Sequence, residues 1–437
     1  MSDIRIQGGI KLGGIITPSG NKNAVLPALC ASLLTNEPVI LHNVPDLTDV
    51  QKIVQVLEEL GAKTEWDKQA GRISIQNSSL SLDNFDGRLP LGMRASLLLI
   101  SPLLQRFKKL TIGSSIGGCT LGIREIDPHI GMLREMGMEV GRKDSRVWLK
   151  IRKKFKGAEL WPDYMSVTAT ENVVMAAVLA EGETVLNNAA SEPHVQDLCS
   201  MLNSMGAQIS GIGSSRLVIR GVGRLHGTEF RVSSDHHEIA TYLALGAATG
   251  GRIEVKDAVP QFFPLITKQF AKLGVEIKYK GTTAVVEEGQ RFVPEKPFTP
   301  NYIPRIEAAP WPYFPADLLP LTIALSLKTR GTVRFWNKVY EGGLFWVSEL
   351  VKMGAKIEIC DPHRIIVLGP AVLRAGQLEC PYIIRATVAL MMAAMMAEGE
   401  SELKNIDTIY RAHPNFLENL KSLGAQIERV GETRKNA

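Results

Sequence analysis

Leu60-Gly61-Ala62-Lys63-Thr64 is the first of six copies of one short pattern, and the pattern decides the fold. The copies that follow are Met136-Gly137-Met138-Glu139-Val140, Met205-Gly206-Ala207-Gln208-Ile209 and Leu273-Gly274-Val275-Glu276-Ile277, then Met353-Gly354-Ala355-Lys356-Ile357 and Leu423-Gly424-Ala425-Gln426-Ile427. They recur every 68 to 80 residues. Each follows apolar residues at helical spacing, as in Val50, Ile53, Val54, Leu57 and Leu60. The pattern predicts a helix, a glycine cap in left-handed conformation, and a strand directly after it.

A second pattern alternates with the first. It is a helix of small residues, a turn, and a strand ending in Asn or Asp. AAVLAEGETVLNNAA (176–190), ALGAATGGRIEVKDA (244–258) and AAMMAEGESELKNID (393–407) show it most clearly. A further strand closes the unit, as in RISIQ (72–76), RVWLKI (146–151) and RLVIRG (216–221). Internal repetition on this scale means that each unit is one supersecondary element and that the units share cores. The fold class is therefore α/β, two similar domains of three repeated α/β units each. For 437 residues this gives domains of ordinary size. The expected division is 22–230 for the first domain and 1–21 plus 231–437 for the second. No linker rich in proline or serine marks it, and the proline-rich stretch Glu288–Pro304 reads as a loop entering the fifth unit.

Composition narrows the function. The net charge of +5 is mild and no Lys/Arg block resembles a nucleic-acid tail, so the basic excess is expected to serve small anions. Five scattered cysteines without a CxxC argue against a disulfide framework or a zinc site and fit a reducing cytoplasm. The N-terminus has no apolar signal core, and runs such as Ala389–Ala397 are too short to span a bilayer. There is no Walker A sequence, no GxGxxG opening a βαβ unit and no nucleophile elbow. His236-His237 lacks a helix-spaced partner and reads as a capping pair rather than a metal site.

The repeat aligns the polar residues. Each unit opens its first helix with a polar cluster: Ser19–Asn23, Gly92–Ser96, Ser166–Thr170, Ser234–Glu238, Pro315–Asp317 and Ile384–Thr387. Thr168, Thr170 and Ser234 read as N-caps. Cations at helix N-termini are electrostatically unfavourable unless an anion accompanies them. Lys22, Arg94, Arg124, Arg385 and Arg411 on one cleft would form an anion site, so a cleft between the domains for a multiply anionic ligand is expected. Cys119 follows Gly117-Gly118 and precedes Arg124 by five residues. A guanidinium at that spacing favours thiolate and grips phosphate or carboxylate at two points.

SGNKNA (19–24), GGCTLGIREIDPH (117–129), FPAD (314–317) and Tyr410-Arg411 before the last Leu-Gly-Ala resemble the enolpyruvyl transferases along the whole chain. Within that family the cysteine loop is similar to the UDP-N-acetylglucosamine 1-carboxyvinyltransferases. The related 5-enolpyruvylshikimate-3-phosphate synthases lack that loop. The resemblance implies an inside-out α/β barrel pair with helices inside and sheets outside, and a first strand that returns to the C-terminal half. It implies transfer of enolpyruvyl from phosphoenolpyruvate to the 3-hydroxyl of UDP-N-acetylglucosamine, for peptidoglycan precursors, without cofactor or metal. Cys119 would be the general acid for the methylene carbon, Asp317 the base towards the sugar hydroxyl, and Lys22 a third catalytic group. Phosphoenolpyruvate would be held by Lys22, Arg94, Arg124, Arg385 and Arg411. The UDP-sugar would lie against Asn23, Arg94, Arg124, Glu125, Ile126, Asp127, Tyr164, Asp317 and Val339. A cytoplasmic monomer is expected, with these small molecules as its partners and neither nucleic acid nor membrane.

Four features depart from the family pattern. Tyr164 stands where a lysine is usual and His236 where an arginine is usual. Tyr313 adds bulk beside the base, and Asn337–Val347 replaces a more polar segment. Two alternatives follow: the same transfer to another UDP-sugar or nucleotide, or a non-catalytic paralogue that binds a UDP-sugar and regulates a partner.

Overall fold

The computed structural model describes residues 2–83, 94–113, 126–143, 146–294, 297–413 and 415–430. Cys119, Arg124 and Glu125 lie outside them, as does the side chain of Arg94.

All six glycines of the repeated pattern have positive φ: Gly61 94°, Gly137 94°, Gly206 95°, Gly274 78°, Gly354 97° and Gly424 100°. Each ends an amphipathic helix (Thr48–Glu59, Asp127–Glu135, Pro193–Ser204, Pro264–Lys272, Val347–Lys352 and Phe416–Ser422). The chain reverses there because the left-handed conformation carries no steric cost for glycine. A strand follows each, from Lys63–Asp67 to Gln426–Arg429. The second pattern has a backbone reason too. Asn43, Asn188, Asp257 and Asn405 follow their strands at φ 50° to 62°, a region that Asn and Asp tolerate best among side-chain-bearing residues.

The first helices of the units are of another kind. In His236–Thr249 every residue from His236 to Ala248 is buried, and Ile384–Met396 is buried from Ala386 to Met395. Small residues let such helices approach closely, and within one half of the chain His236–Thr249, Leu319–Ser326 and Ile384–Met396 pack on one another. The strands bury alternate residues, as in Ile4–Gly8, Leu217–Arg220 and Gly331–Asn337. Buried helices under half-buried sheets form the expected α/β arrangement.

The described residues form two compact units. One comprises residues up to Ser19 together with those from Ser234 onward; the other runs from Gly20 to Ser233. Each has its own apolar core. Each also holds three sheets. Five of these have four strands, and the sixth has three among the described residues.

Two strand exchanges explain why no linker is visible. Among the described residues the sixth unit has no closing strand of its own, and Ile4–Gly8 takes that place, antiparallel between Gly399–Lys404 and Gln426–Arg429. In the third, fifth and sixth units, the strand before the first helix pairs parallel with the strand after it. In the first and fourth units these strands are traded. Gly14–Ile16 pairs with Ile253–Val255, and Thr228–Arg231 pairs with Val39–His42. The chain therefore passes between the units twice, at residues 19/20 and 233/234.

Among the described residues no helix is long and apolar enough to cross a membrane.

Candidate active site

In the unit from Gly20 to Ser233, Asn21 caps the helix Lys22–Ser32, its side chain accepting from the backbone N–H of Asn23 at 2.8 Å. This puts Lys22 and Asn23 in the first turn, where the positive end of the helix would repel the Lys22 ammonium. The protein supplies a counter-charge: Lys22 Nζ lies 3.2 Å from Oδ2 of Asp49, which is almost wholly buried. The anion expected at that helix end from a ligand is thus supplied in part by a carboxylate 27 residues away. Asp49 had no local signal, since an Asp early in a helix reads as an ordinary first-turn acid.

Arg94 opens the short helical turn Arg94–Leu99, and Asp127 opens the helix Asp127–Glu135, exposed, with Ile126 half-buried before it. Tyr164 is exposed in the loop ahead of Val167–Ala177. A buried lattice holds these elements in register. The Asn172 amide donates to Leu97 O at 2.8 Å and faces His129 Nδ1 at 2.9 Å, while its oxygen accepts from Ser101 N–H at 3.3 Å. His129 Nδ1 is therefore an acceptor, and Nε2–H donates to Thr168 Oγ1 at 3.1 Å. The His129 of the DPH motif is thus a fully buried latch of the fold.

The expected caps Thr168, Thr170 and Ser234 act otherwise. Thr168 bonds to His129, Thr170 Oγ1 accepts from Ala190 N–H at 3.0 Å, and Ser234 Oγ donates to Asp257 at 2.7 Å. Hydroxyls at a helix start can serve a tertiary partner as readily as the local N–H groups.

In the other unit Asp317 and Arg385 come together. Asp317 lies in the turn Ala316–Leu318, and Arg385 is the second residue of Ile384–Met396. Arg385 Nε is 3.8 Å from Asp317 Oδ2, Arg385 Nη2 is 4.0 Å from Asp235 Oδ2, and Nη1 is 2.6 Å from His413 Nε2. The Asp317 side chain remains 39% exposed, which suits a base that must reach a substrate hydroxyl, while Arg385 is 12% exposed. Arg411 ends the turn Ile406–Arg411, with its guanidinium 5.4 Å from the centre of the Tyr382 ring. Val339 is half-exposed after the strand Gly331–Asn337, where Asn337 Oδ1 accepts from the N–H groups of Val339 and Tyr340, both at 3.0 Å. Trp346 turns inward and lines an apolar cavity with Phe345, Pro381 and Ile383.

Asp235 is the true cap of His236–Thr249, accepting from His237 N at 2.8 Å and Glu238 N at 3.3 Å. Burial opposes its ionisation. The His237 contact and the charges of His237, Arg385 and His236 outweigh that and hold its carboxyl well below the usual range. Asp235, His236 and His237 offer three ligand atoms within 4.8 Å. Capping already occupies the Asp235 oxygen, and a guanidinium 4.0 Å away disfavours a cation there. His236 is buried, stacked on His237 at 3.9 Å and edge-on to Trp311 at 6.2 Å.

A doubled α/β fold of three repeated units in each half is that of the enolpyruvyl transferases. Among solved structures, the enolpyruvyl transferase NikO from Streptomyces tendae superposes with a TM-score of 0.84 at 20% identity, over 98% of this chain and 99% of that one. EPSP synthase from Acinetobacter baumannii superposes at 0.75 with 17% identity, over 98% and 100%. The chain belongs to the EPSP synthase (3-phosphoshikimate 1-carboxyvinyltransferase) family, whose model matches residues 6–420. Among curated relatives, UDP-N-acetylglucosamine 1-carboxyvinyltransferase of Borrelia garinii subsp. bavariensis is 43% identical over 425 residues, 97% of this chain and 98% of the relative. The protein of that name from Treponema denticola is 41% identical over 429 residues, 98% and 99% of the two chains.

Proposed function

We propose that this chain transfers the enolpyruvyl group of phosphoenolpyruvate to the 3-hydroxyl of UDP-N-acetylglucosamine, with release of phosphate, in peptidoglycan precursor synthesis. The observation that carries this reading is the identity above 40% to curated relatives of that name along almost the whole of both chains. A cytoplasmic location fits the scattered cysteines and the water-soluble substrates.

The chemistry assigns each group a task. Protonating the methylene carbon of phosphoenolpyruvate needs an acid pressed against it, the part given to Cys119. The resulting oxocarbenium is captured by the sugar hydroxyl as Asp317 removes its proton. The tetrahedral adduct then loses a proton from its new methyl group and expels phosphate, which restores the carbon–carbon double bond, and Lys22, Arg94, Arg124, Arg385 and Arg411 neutralise the charge of the departing phosphate. Asp317 lies 3.8 Å from Arg385, which sets the proposed base beside a proposed anion ligand within one unit. Asn23, Glu125, Ile126, Asp127, Tyr164 and Val339 are assigned to the UDP-sugar, together with Arg94, Arg124 and Asp317.

The test is product mass. Incubation with phosphoenolpyruvate should add one enolpyruvyl group to UDP-N-acetylglucosamine and leave shikimate 3-phosphate unchanged. A product from another UDP-sugar alone would overturn the assignment of the acceptor, and no product from any of them would overturn the transferase reading.

A further inference from the structure

Arginine donates hydrogen bonds and accepts none. The 2.6 Å approach of Arg385 Nη1 to His413 Nε2 therefore requires a lone pair on that nitrogen, so His413 is neutral with its proton on Nδ1. His413 is completely buried. Its ring packs on Phe416, centroids 5.0 Å apart, and Nδ1 points towards Glu238 Oε1 at 4.0 Å. Glu238 is itself held fast. It accepts from the Ser19 N–H at 2.9 Å, from the Ser19 hydroxyl, and from the Tyr242 hydroxyl at 2.8 Å. Asn419 in turn donates to Tyr242 at 2.9 Å. The imidazole is thus seated by packing on one side and a carboxyl network on the other, and its free lone pair is aimed at one arginine.

We propose that His413 is a positioning residue for phosphoenolpyruvate, a neutral acceptor that orients Arg385 without cancelling its charge. The proposal rests on the reading of Arg385 as a phosphoenolpyruvate ligand. The alternatives around Arg385 show why neutrality matters. Asp235 and Asp317 lie within 4.0 Å of the guanidinium, and either could draw it into a closed ion pair. Such a pair would leave less positive charge for an anionic substrate and would tie up the proposed base. A neutral imidazole fixes one edge of the planar fork and adds no negative charge to the two carboxylates already beside it.

The experiment compares His413→Phe, His413→Gln, Arg385→Ala and the His413→Phe/Arg385→Ala double variant, with phosphate release measured at saturating acceptor. Phe keeps the stack on Phe416 and removes the acceptor, whereas Gln restores a neutral acceptor oxygen. H413F should raise KM for phosphoenolpyruvate about 10- to 100-fold, the range for losing a hydrogen bond to a charged group, with kcat and the acceptor KM within about twofold. H413Q should recover most of that loss, and H413F should add nothing in the R385A background. Equal effects of Phe and Gln, or additivity with R385A, would overturn the proposal. If R385A raises KM for phosphoenolpyruvate and H413F does not, only the role of His413 falls. If R385A leaves that KM unchanged, the ligand role of Arg385 fails and this proposal with it. Nitrogen-15 spectra of the unmodified protein give a check independent of any variant: His413 should show the neutral Nδ1–H tautomer, and an imidazolium or Nε2–H form would contradict it.

Discussion

Replacing Asn172 by alanine should be among the most damaging single changes in the unit from Gly20 to Ser233. Asn172 is fully buried and fills three hydrogen-bond positions, to Leu97 O, His129 Nδ1 and Ser101 N–H. It thereby ties the helix Val167–Ala177 to the segment that begins at Arg94 and to the helix that begins at Asp127. Alanine leaves these three groups without that partner, each at a cost of about 1–3 kcal/mol where water does not replace it. Relaxation makes the sum less than additive, so about 3–5 kcal/mol is expected, a large part of the roughly 5–15 kcal/mol that stabilises a domain. Equilibrium urea unfolding followed by tryptophan fluorescence should show a lower midpoint with an unchanged slope. Because the lattice also holds the elements that begin at Arg94 and Asp127, KM for both substrates should rise, if the proposed binding roles of these residues hold, under conditions where the variant is still folded. A loss below about 1 kcal/mol would refute the reasoning, since it would mean that the amide holds no buried partner that water cannot serve.

Other consequences follow from buried ionisable groups. Burial, and next the charge of Glu192, push the Glu171 carboxyl well above its usual range. The folded protein therefore keeps a proton that the unfolded chain releases above its ordinary pKa of 4.5, and stability falls as pH rises from there, by about 1.4 kcal/mol per unit while Glu171 stays protonated. Glu171→Gln should flatten that slope between pH 5 and 7, and an unchanged slope would count against the assignment. Burial also pushes the thiols of Cys199 and Cys380 up to about 12 and raises that of Cys30 further. In the native protein a maleimide should modify exposed Cys360 readily and leave these three unmodified, as peptide mapping by mass spectrometry would show.

The periodic features of the fold were legible in the sequence because each has a local cause. Six glycines announce six helix ends because only glycine takes φ near 95° freely. The closing Asn and Asp residues mark a second left-handed position. The long-range features were not legible. Ile4–Gly8 completes a sheet with strands near residues 400 and 427, and no local pattern says which edge it will join. The proposed roles of Asp317, Arg385 and Lys22 rest on their motifs. Asp49 and His413, 27 and 28 residues from the cations they hold, carried no signal of that contact. The expectation that cations at helix starts imply a ligand anion left out one contribution: for Lys22 a distant carboxylate meets part of the electrostatic need. Cys119, Arg124 and Glu125 fall outside the described residues, so their assignments rest on the sequence motif.

The most direct test of the central claim is phosphate release from phosphoenolpyruvate with and without UDP-N-acetylglucosamine, in the parent chain and in the Cys119→Ala and Asp317→Ala variants. Release should depend on the acceptor and fall by at least about 100-fold in each variant, the lower end of the range for a general acid or base. Release that persists in both variants, or that ignores UDP-N-acetylglucosamine, would contradict the claim.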